Sequence, residues 1–348
     1  MPDLQHEARG LAGWLESMLA CPLCHGSMLR DAFAYSCARC SREYPIRFGI
    51  PDFRLAPDPY ISVEAEIQKI DMLFKGPPKS FVELLAAYYK LSPENPRSLN
   101  THYVAAMEAS VRRGAGILRR LIDAFPSVPR KTLLDLGCGT GGMIASSGAY
   151  FERSVGVDVA LRWMLIGRQR LRELGIEVPL ICANAESLPF ADDSFDAVAA
   201  DAVVEHVRNP LLMRDETLRV LNQNGAFFYT TNNRFSILPE PHLRIAGFGL
   251  LPRRLMERAA MWLRKTPYRA RLMSLRELNA VFGRISQISL PSYREGELGS
   301  SHENLRRRWE RLSRHAVVRA LVWPFAPQYF IYGSKNSRTN GTVATPRP

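Results

Sequence analysis

Three sets of side chains in this 348-residue sequence have the types and spacing to do chemistry. The first is acidic and glycine-rich: Leu133-Leu134-Asp135-Leu136-Gly137-Cys138-Gly139-Thr140-Gly141-Gly142, then Ser154-Val155-Gly156-Val157-Asp158. An apolar run that ends in an acid, followed by alternate glycines, predicts a buried parallel strand, a tight turn and a helix N-terminus. Glycine serves where backbone passes close to a ligand or takes φ > 0. A phosphate site would gain nothing from Asp135, whereas Asp158, closing the next strand, can accept from both ribose hydroxyls of a nucleoside. The pair suits a cationic nucleoside without phosphate. The second set is His206, after an expected fourth strand, and His242, in a loop after the fifth. Both are candidate general bases. Arg234, nearby in sequence, is a candidate clamp for an anionic group, or an ion-pair partner of Glu240. The third set is Cys21-Pro22-Leu23-Cys24 and, twelve residues on, Cys37-Ala38-Arg39-Cys40. Paired knuckles at that separation predict four thiolates around one structural zinc ion, with no open position for catalysis.

The elements that must position these groups follow from periodicity. Strands are expected at 132–136, 154–158, 178–182, 196–200 and 225–231, with helices from about 141, over 160–174 and over 210–221. That alternation is a doubly wound parallel α/β sheet, whose ligands sit at the carboxyl ends of the strands. A last core helix over Ser274–Phe282, a strand over Ile285–Leu290 and a final antiparallel strand over Gln328–Gly333 complete seven strands. A helix is also expected over His102–Phe125, packing on the sheet, with His102 and Tyr103 in core or surface roles. At the head of the helix after Asp158, Trp163, Met164 and Leu165 are expected in the helix core, with one of them available to stack near a bound base.

From about Lys131 to Asn233 the sequence resembles the class I S-adenosylmethionine-dependent methyltransferases, in particular the ubiquinone/menaquinone-methyltransferase-like group. Six segments occur in the family's order. Leu133–Gly141 resembles the first motif and Gly156-Val157-Asp158 the second. Asn184-Ala185-Glu186-Ser187-Leu188-Pro189-Phe190 resembles the adenine-side stretch, with Asn184 in place of the usual Asp. Ser194-Phe195-Asp196-Ala197-Val198, Val204-Glu205-His206-Val207 and Leu218-Arg219-Val220-Leu221-Asn222-Gln223-Asn224-Gly225 resemble the fourth strand, the segment after it and the turn before the fifth. The resemblance implies a Rossmann-like, seven-stranded methyltransferase fold that binds S-adenosylmethionine, itself a cationic nucleoside. It implies a cofactor site at Asp135, Gly137, Cys138, Gly139, Gly141, Asp158, Val159, Asn184, Ala185, Glu186 and Asp201, where the Asn184 amide accepts from the adenine amino group. Glu43-Tyr44-Pro45-Ile46-Arg47-Phe48-Gly49-Ile50-Pro51, running on from the knuckles, resembles the zinc-ribbon family whose free-standing members activate tRNA and protein methyltransferases. Phe48 replaces that family's Asp.

The expected organisation is an N-terminal helix within 1–20, a zinc ribbon over 21–56, a proline-broken linker with helical segments over 57–100, a methyltransferase domain over 101–333 with insertions at about 234–273 and 291–325, and a polar, disordered tail over 334–348. Met1–Ala20 carries acids and does not resemble a signal peptide, and no apolar stretch is long enough to span a bilayer. These features predict a cytoplasmic enzyme, with peripheral contact at the inner face of the membrane available to its C-terminal third. Net charge is +12, and all of the basic surplus lies from Thr230 onward, with 21 Lys and Arg against 7 Glu and no Asp. Such a field suits an anionic partner. Leu305, Trp309, Leu312, Ala316, Ala320 and Trp323 form one stripe of an expected basic amphipathic helix, suited to a membrane surface or to packing on the core.

Methyl transfer from a sulfonium is an in-line displacement that needs no metal; the protein aligns the acceptor and removes its proton. No Asn-Pro-Pro-Tyr-type loop follows strand four, which weighs against adenine amino methylation. No cysteine in the loops after the strands offers a pyrimidine adduct. The Asn233-Arg234-Phe235-Ser236 to Pro239-Glu240-Pro241-His242 loop resembles that of bacterial methyltransferases of surface-polysaccharide and glycolipid pathways. The resulting expectation is O-methylation of a glycan, lipid-linked or other anionic small acceptor. An rRNA or tRNA methyltransferase and a non-catalytic scaffold that recruits a protein partner are the alternatives.

Overall fold

The computed structural model describes residues 11–92, 96–291, 311 and 323–338. Near its start lie a short helix, α1 (Gly13–Glu16), and a four-stranded antiparallel meander: β1 (Met28–Arg30), β2 (Ala34–Cys37), β3 (Glu43–Arg47) and β4 (Ile50–Pro51). So small a unit buries little apolar surface alone. Its rings Tyr35, Tyr44 and Phe53, with centroids 5.2–5.3 Å apart, join the same core as Leu188 and Phe190 of the main domain.

The main sheet has seven strands: β5 (Thr132–Leu136), β6 (Arg153–Asp158), β7 (Leu180–Cys182), β8 (Phe195–Asp201), β9 (Leu221–Asn232), β10 (Gln287–Ser289) and β11 (Gln328–Ser334), in the order β10-β11-β9-β8-β5-β6-β7. The central strands are buried on both faces and mutually parallel, while β11 runs antiparallel between β9 and β10. The ribbon covers the β7 edge. Asp52 bridges Cys182, Phe53 N–H donates to Cys182 O at 2.7 Å, and Ala20 N–H and Ala191 N–H make reciprocal bonds to Pro189 O and Met18 O. An otherwise unpaired edge is thereby satisfied from within the chain.

Helices α2 (Val63–Phe74) and α3 (Phe81–Leu91), α4 (Asn100–Glu108), α5 (Ser110–Ala124), α6 (Ile144–Ser147), α7 (Leu161–Glu173), α8 (Pro210–Val220), α9 (Arg253–Arg264) and α10 (Leu275–Phe282) surround the sheet. Segment 57–100, expected as a linker, is instead part of the folded body. Leu73, Leu84, Leu85 and Tyr88 pack with Ile166 of α7 in one cluster. The long helix expected over His102–Phe125 is two helices, separated at Ala109. Helix α6 starts at Ile144, later than expected, because three glycines with positive φ (Gly137, Gly139 and Gly141) shape the turn before it. Strand β9 starts four residues earlier than expected, with a register shift against β8 between Phe195 and Ala197. Residues 4–10 of the N-terminal helix, nearly all of the basic helix at 305–323 and tail residues 339–348 lie outside the described residues. Among the described residues no helix is long and apolar enough to cross a membrane.

Candidate functional site

A cavity of about 870 Å³ opens at the carboxyl ends of β5, β6, β8 and β9, where a parallel sheet places ligands. Gly137, Gly139, Asp158, Val159, Asn184, Ala185, Glu186 and Asp201 line it, as do His206, Arg234 and His242. Asp135, Cys138 and Gly141 do not; they lie behind the lining and shape it. Gly137 has φ +74, and a Cβ there would meet Val203 Cγ2 at 2.3 Å. Above Gly139, φ +49, a Cβ would meet nothing within 4 Å. The first glycine is required by packing and backbone; the second leaves free space beside the turn.

The acids of the turn form one field. Asp158 Oδ2 accepts from Gly139 N at 2.8 Å and Oδ1 from Ala160 N at 2.7 Å. Burial nonetheless pushes its carboxyl up to about 6. Asp135 is 1% exposed, and among the described residues its Oδ2 has no hydrogen-bond partner; burial first, then the charges of Asp201 and Asp158, hold its carboxyl well above the usual range. Buried carboxylate oxygen without a donor is rare in folded proteins, and a cationic ligand would relieve both acids. These residues fit S-adenosylmethionine: open space over Gly139, a ribose acid in Asp158, and an acidic floor for a positive charge.

Two expected contacts are replaced. Asn184 Oδ1 accepts from Leu55 N (2.9 Å) and Ala56 N (3.1 Å), while Nδ2 donates to Ala56 O (3.0 Å). Both acceptor lone pairs are thus engaged by the segment after the ribbon, and the expected bond from an adenine amino group is not available to this oxygen. The amide also explains the departure from Asp, since a carboxylate has no donor for Ala56 O. Glu186 is similarly occupied, accepting from Arg208 N and Asn209 N just before α8. Asp201 is bound by Arg113 Nε and Thr230 Oγ1, both at 2.6 Å.

Arg234 is also reassigned. Its guanidinium donates to Gly249 O at 3.3 Å and Leu251 O at 3.5 Å, holding a loop, and makes no ion pair with Glu240. Glu240 accepts instead from His242 Nδ1 (2.5 Å), Leu243 N (2.7 Å) and Tyr268 Oη (3.3 Å). Burial opposes charge on His242, but Glu240 and Glu205 outweigh it and raise the imidazole above its usual value. Its ring lies 5.0 Å from that of His206, edge to face. Burial, and secondarily His242, push His206 down to about 3, so this ring is neutral at physiological pH. His206 Nδ1 is 2.7 Å from Tyr60 Oη. The two expected bases are thereby separated in character: His242 is the better proton acceptor, while His206 is a neutral hydrogen-bonding neighbour. Fully buried Glu205 binds Thr231 Oγ1 and Asn232 Nδ2, fixing the end of β9.

Tyr60 comes from the segment after the ribbon, and three arginines hold that segment. Arg208 bonds Pro57 O, Arg269 bonds Pro59 O, and buried Arg162 bonds Asp58 Oδ2 at 2.6 Å and Glu66 Oε1 at 2.8 Å. Arg54 extends the network to Asp52, Glu66 and Val159 O. Nothing in the sequence marks Tyr60. Arg244, also unmarked, lines the cavity near His102 and Tyr103 with φ +58, and among the described residues its guanidinium makes no hydrogen bond or ion pair. Glu240, expected only as a partner for Arg234, is instead the partner of His242. Trp163 lines the cavity against Tyr88 at 4.2 Å, whereas Met164 and Leu165 are core.

In the ribbon, the Sγ atoms of Cys21, Cys24, Cys37 and Cys40 lie within 4.8 Å of one another, with Cys21–Cys40 at 3.7 Å and Cys24–Cys37 at 3.5 Å. Tetrahedral zinc with Zn–S near 2.3 Å requires sulfurs roughly 3.8 Å apart, so the donor set fits zinc. A Cβ on Gly26 would meet Cys37 Sγ at 2.9 Å, so the knuckle admits only glycine there.

The sequence profile described as "Methyltransferase domain" matches residues 134–229. Malonyl-[acyl-carrier protein] O-methyltransferase of Marinomonas sp. is 30% identical over 139 residues, 38% of this chain and 49% of that protein. The ubiquinone/menaquinone biosynthesis C-methyltransferase of Vibrio parahaemolyticus is 34% identical over 145 residues, 39% and 54% respectively. The chain thus spans about half the length of these curated relatives. Among solved structures, the YcgJ protein of Bacillus subtilis aligns at 20% identity over 62% of this chain and 97% of that one, with a TM-score of 0.39. The matching profile and the methyltransferase relatives make residues 134–229 the core of a class I S-adenosylmethionine-dependent methyltransferase domain, with Asp135 under its glycine turn and Asp158 closing its second sheet strand.

Proposed function

We propose that the protein methylates a hydroxyl of an anionic or lipid-linked small acceptor, such as a glycan, with zinc held by the four ribbon cysteines in a structural role. The observation that carries this reading is the Glu240–His242 pair, placed in the same cavity as the acid-bearing glycine turn. S-adenosylmethionine, when bound, supplies an electrophilic methyl group on sulfur. His242 takes the acceptor hydroxyl proton on Nε2 while Nδ1–H stays bonded to Glu240, which stabilises the imidazolium that results. The acceptor oxygen gains the methyl carbon as the sulfur–methyl bond breaks, leaving a neutral thioether. Asp158 would orient the ribose, and Arg244, whose guanidinium is unpaired among the described residues, offers a cation for an anionic group on the acceptor. The O-methyl relative is named for malonyl-[acyl-carrier protein] and the C-methyl relative for ubiquinone/menaquinone biosynthesis, and an acceptor that joins an acidic group to an apolar body accords with both.

The test is transfer of labelled methyl groups from S-adenosylmethionine into a host extract split into RNA and organic-solvent fractions. Label in the lipid or glycolipid fraction, lost in His242→Ala, supports the reading. Label in RNA replaces it with a nucleic-acid methyltransferase, and failure to bind S-adenosylmethionine replaces it with a scaffold.

A further inference from the structure

Large apolar side chains are left exposed in one short stretch beside the cavity mouth. Ile237 is 54% exposed, Leu250 53%, Leu255 40%, Met261 46%, Trp262 75% and Leu263 46%. Three of these belong to neither loop but to the last turn of α9. The helix packs inward through Met256 and Ala260, against Leu243, Phe248 and Tyr268. Outward it presents Arg254, Arg258 and, just past its end, Lys265, with Leu255 and Trp262 one helical step to the side. Segment 234–273 holds nine Lys and Arg against two Glu. Large apolar side chains are exposed singly elsewhere, Phe33 at 82% among them, but a contiguous exposed apolar patch rimmed by polar residues marks an interaction surface. Cations interleaved with Trp and Leu on one helix face are the pattern of an element lying in a bilayer interface.

We infer that α9 and the loops flanking it dock on an anionic lipid surface. Charge complementarity selects this occupant: a protein groove for an apolar ridge would not need the row of Arg254, Arg258 and Lys265, whereas anionic headgroups attract each of them. The position gives the docking a purpose. Ile237 lies between Ser236 and Leu238, and Leu250 follows Gly249, all three of which line the cavity. Arg264 at the end of α9 bonds Leu243 O and Arg244 O, so the docking helix is fastened to the loop that carries His242 and Arg244. A membrane-embedded acceptor would meet the mouth without leaving the interface. This use rests on the acceptor reading given above, but lipid binding itself does not.

The experiment is flotation of the full-length protein with vesicles of phosphatidylcholine alone and of equimolar phosphatidylcholine and phosphatidylglycerol. The expected result is flotation with the anionic vesicles only, weakened by added salt. It should fall about tenfold or more in Trp262→Ser and in the double variant Arg254→Glu/Arg258→Glu. All three positions are exposed, so thermal unfolding should not change. No flotation of the wild type overturns the inference, as does equal flotation of the variants. Retention of host RNA in a gel shift that the same double variant abolishes, without vesicle binding, also overturns it and makes the face a nucleic-acid surface. S-adenosylmethionine binding measured in parallel separates the two readings, since its failure leaves the docking result standing.

Discussion

Glu240 and His242 meet through a 2.5 Å contact between Oε1 and Nδ1, in a three-residue step bent by Pro241. Two further donors, Leu243 N–H and the Tyr268 hydroxyl, converge on the same carboxylate, so Glu240 acts as an acceptor and fixes the imidazole with Nε2 free. Replacing Glu240 with Gln should lower kcat by about 10²-fold, within the range for a general base that has lost its support. It should leave affinity for S-adenosylmethionine within about twofold. The sign of the pH effect is fixed by the same contact. Glu240 raises the imidazole, so wild-type activity rises with pH on a limb above the ordinary histidine value of 6.5. In Glu240→Gln that limb moves to lower pH. A limb that stays in place would show that His242 is not the group that titrates.

Asp158 supplies a second pH dependence. Its carboxyl is pushed up to about 6 by burial, so it is protonated below that value and loses the charge that holds ribose hydroxyls and attracts a cationic ligand. Affinity for S-adenosylmethionine, measured by calorimetry, should be constant above pH 7 and fall as pH drops through 6, rather than near the usual value of 3.8. Asp158→Ala should weaken binding by about two orders of magnitude. Unchanged affinity would remove Asp158 from the ribose site.

The sheet was legible because its central strands carry short apolar runs, such as Leu133-Leu134 and Ala197-Val198-Ala199-Ala200, and its turn glycines are spaced for one purpose. The acids Asp135 and Asp158 and the four cysteines were legible because each type has few other reasons to occur at that spacing. What escaped was everything fixed across long separations. Asn184 read as an acceptor for an adenine amino group, yet it is 128 residues from the Ala56 carbonyl that its amide serves. Tyr60 lies 146 residues from His206. No local pattern links such pairs. Arg234 and Arg244 are indistinguishable by type, and only the loop carbonyls of Gly249 and Leu251 decide which cation is occupied.

The Asn184 bonds give a test in which the family's own residue is the damaging one. Asn184→Asp keeps size and the acceptor for Leu55 and Ala56 N–H but sets a carboxylate oxygen against Ala56 O. It should cost about 1–3 kcal/mol of stability, read as a lower Tm, and should not tighten cofactor binding. A gain in affinity for S-adenosylmethionine would restore the adenine contact that the structure replaces.

Arg162 joins the ribbon side of the molecule to the cofactor side. At 4% exposure it binds Asp58 and Glu66, its own N–H is bonded to Glu66 Oε1, and Arg54 completes the set through Glu66 Oε2 and Val159 O. Removing one partner leaves buried charge uncompensated, which costs about 3–5 kcal/mol; Arg162→Met should therefore unfold the segment carrying Tyr60 or the whole chain. A metal ion held by the four ribbon cysteines would act on the other end of that segment. The ribbon's β4 runs directly into Asp52 and Phe53, which bridge Cys182 of β7, itself paired with Asp158. Chelation should free four thiols per chain, lower Tm and reduce methyl transfer together, all recovered on adding zinc back. Tyr60→Phe provides the distinguishing variant, since it removes only the 2.7 Å bond to His206: it should change kcat while leaving Tm and metal content as they are. If chelation lowered Tm but left methyl transfer intact at a temperature where the chain stays folded, the ribbon would be a passive cover on the β7 edge. If both fell in step, the ribbon's metal would be part of what holds Tyr60 over the site.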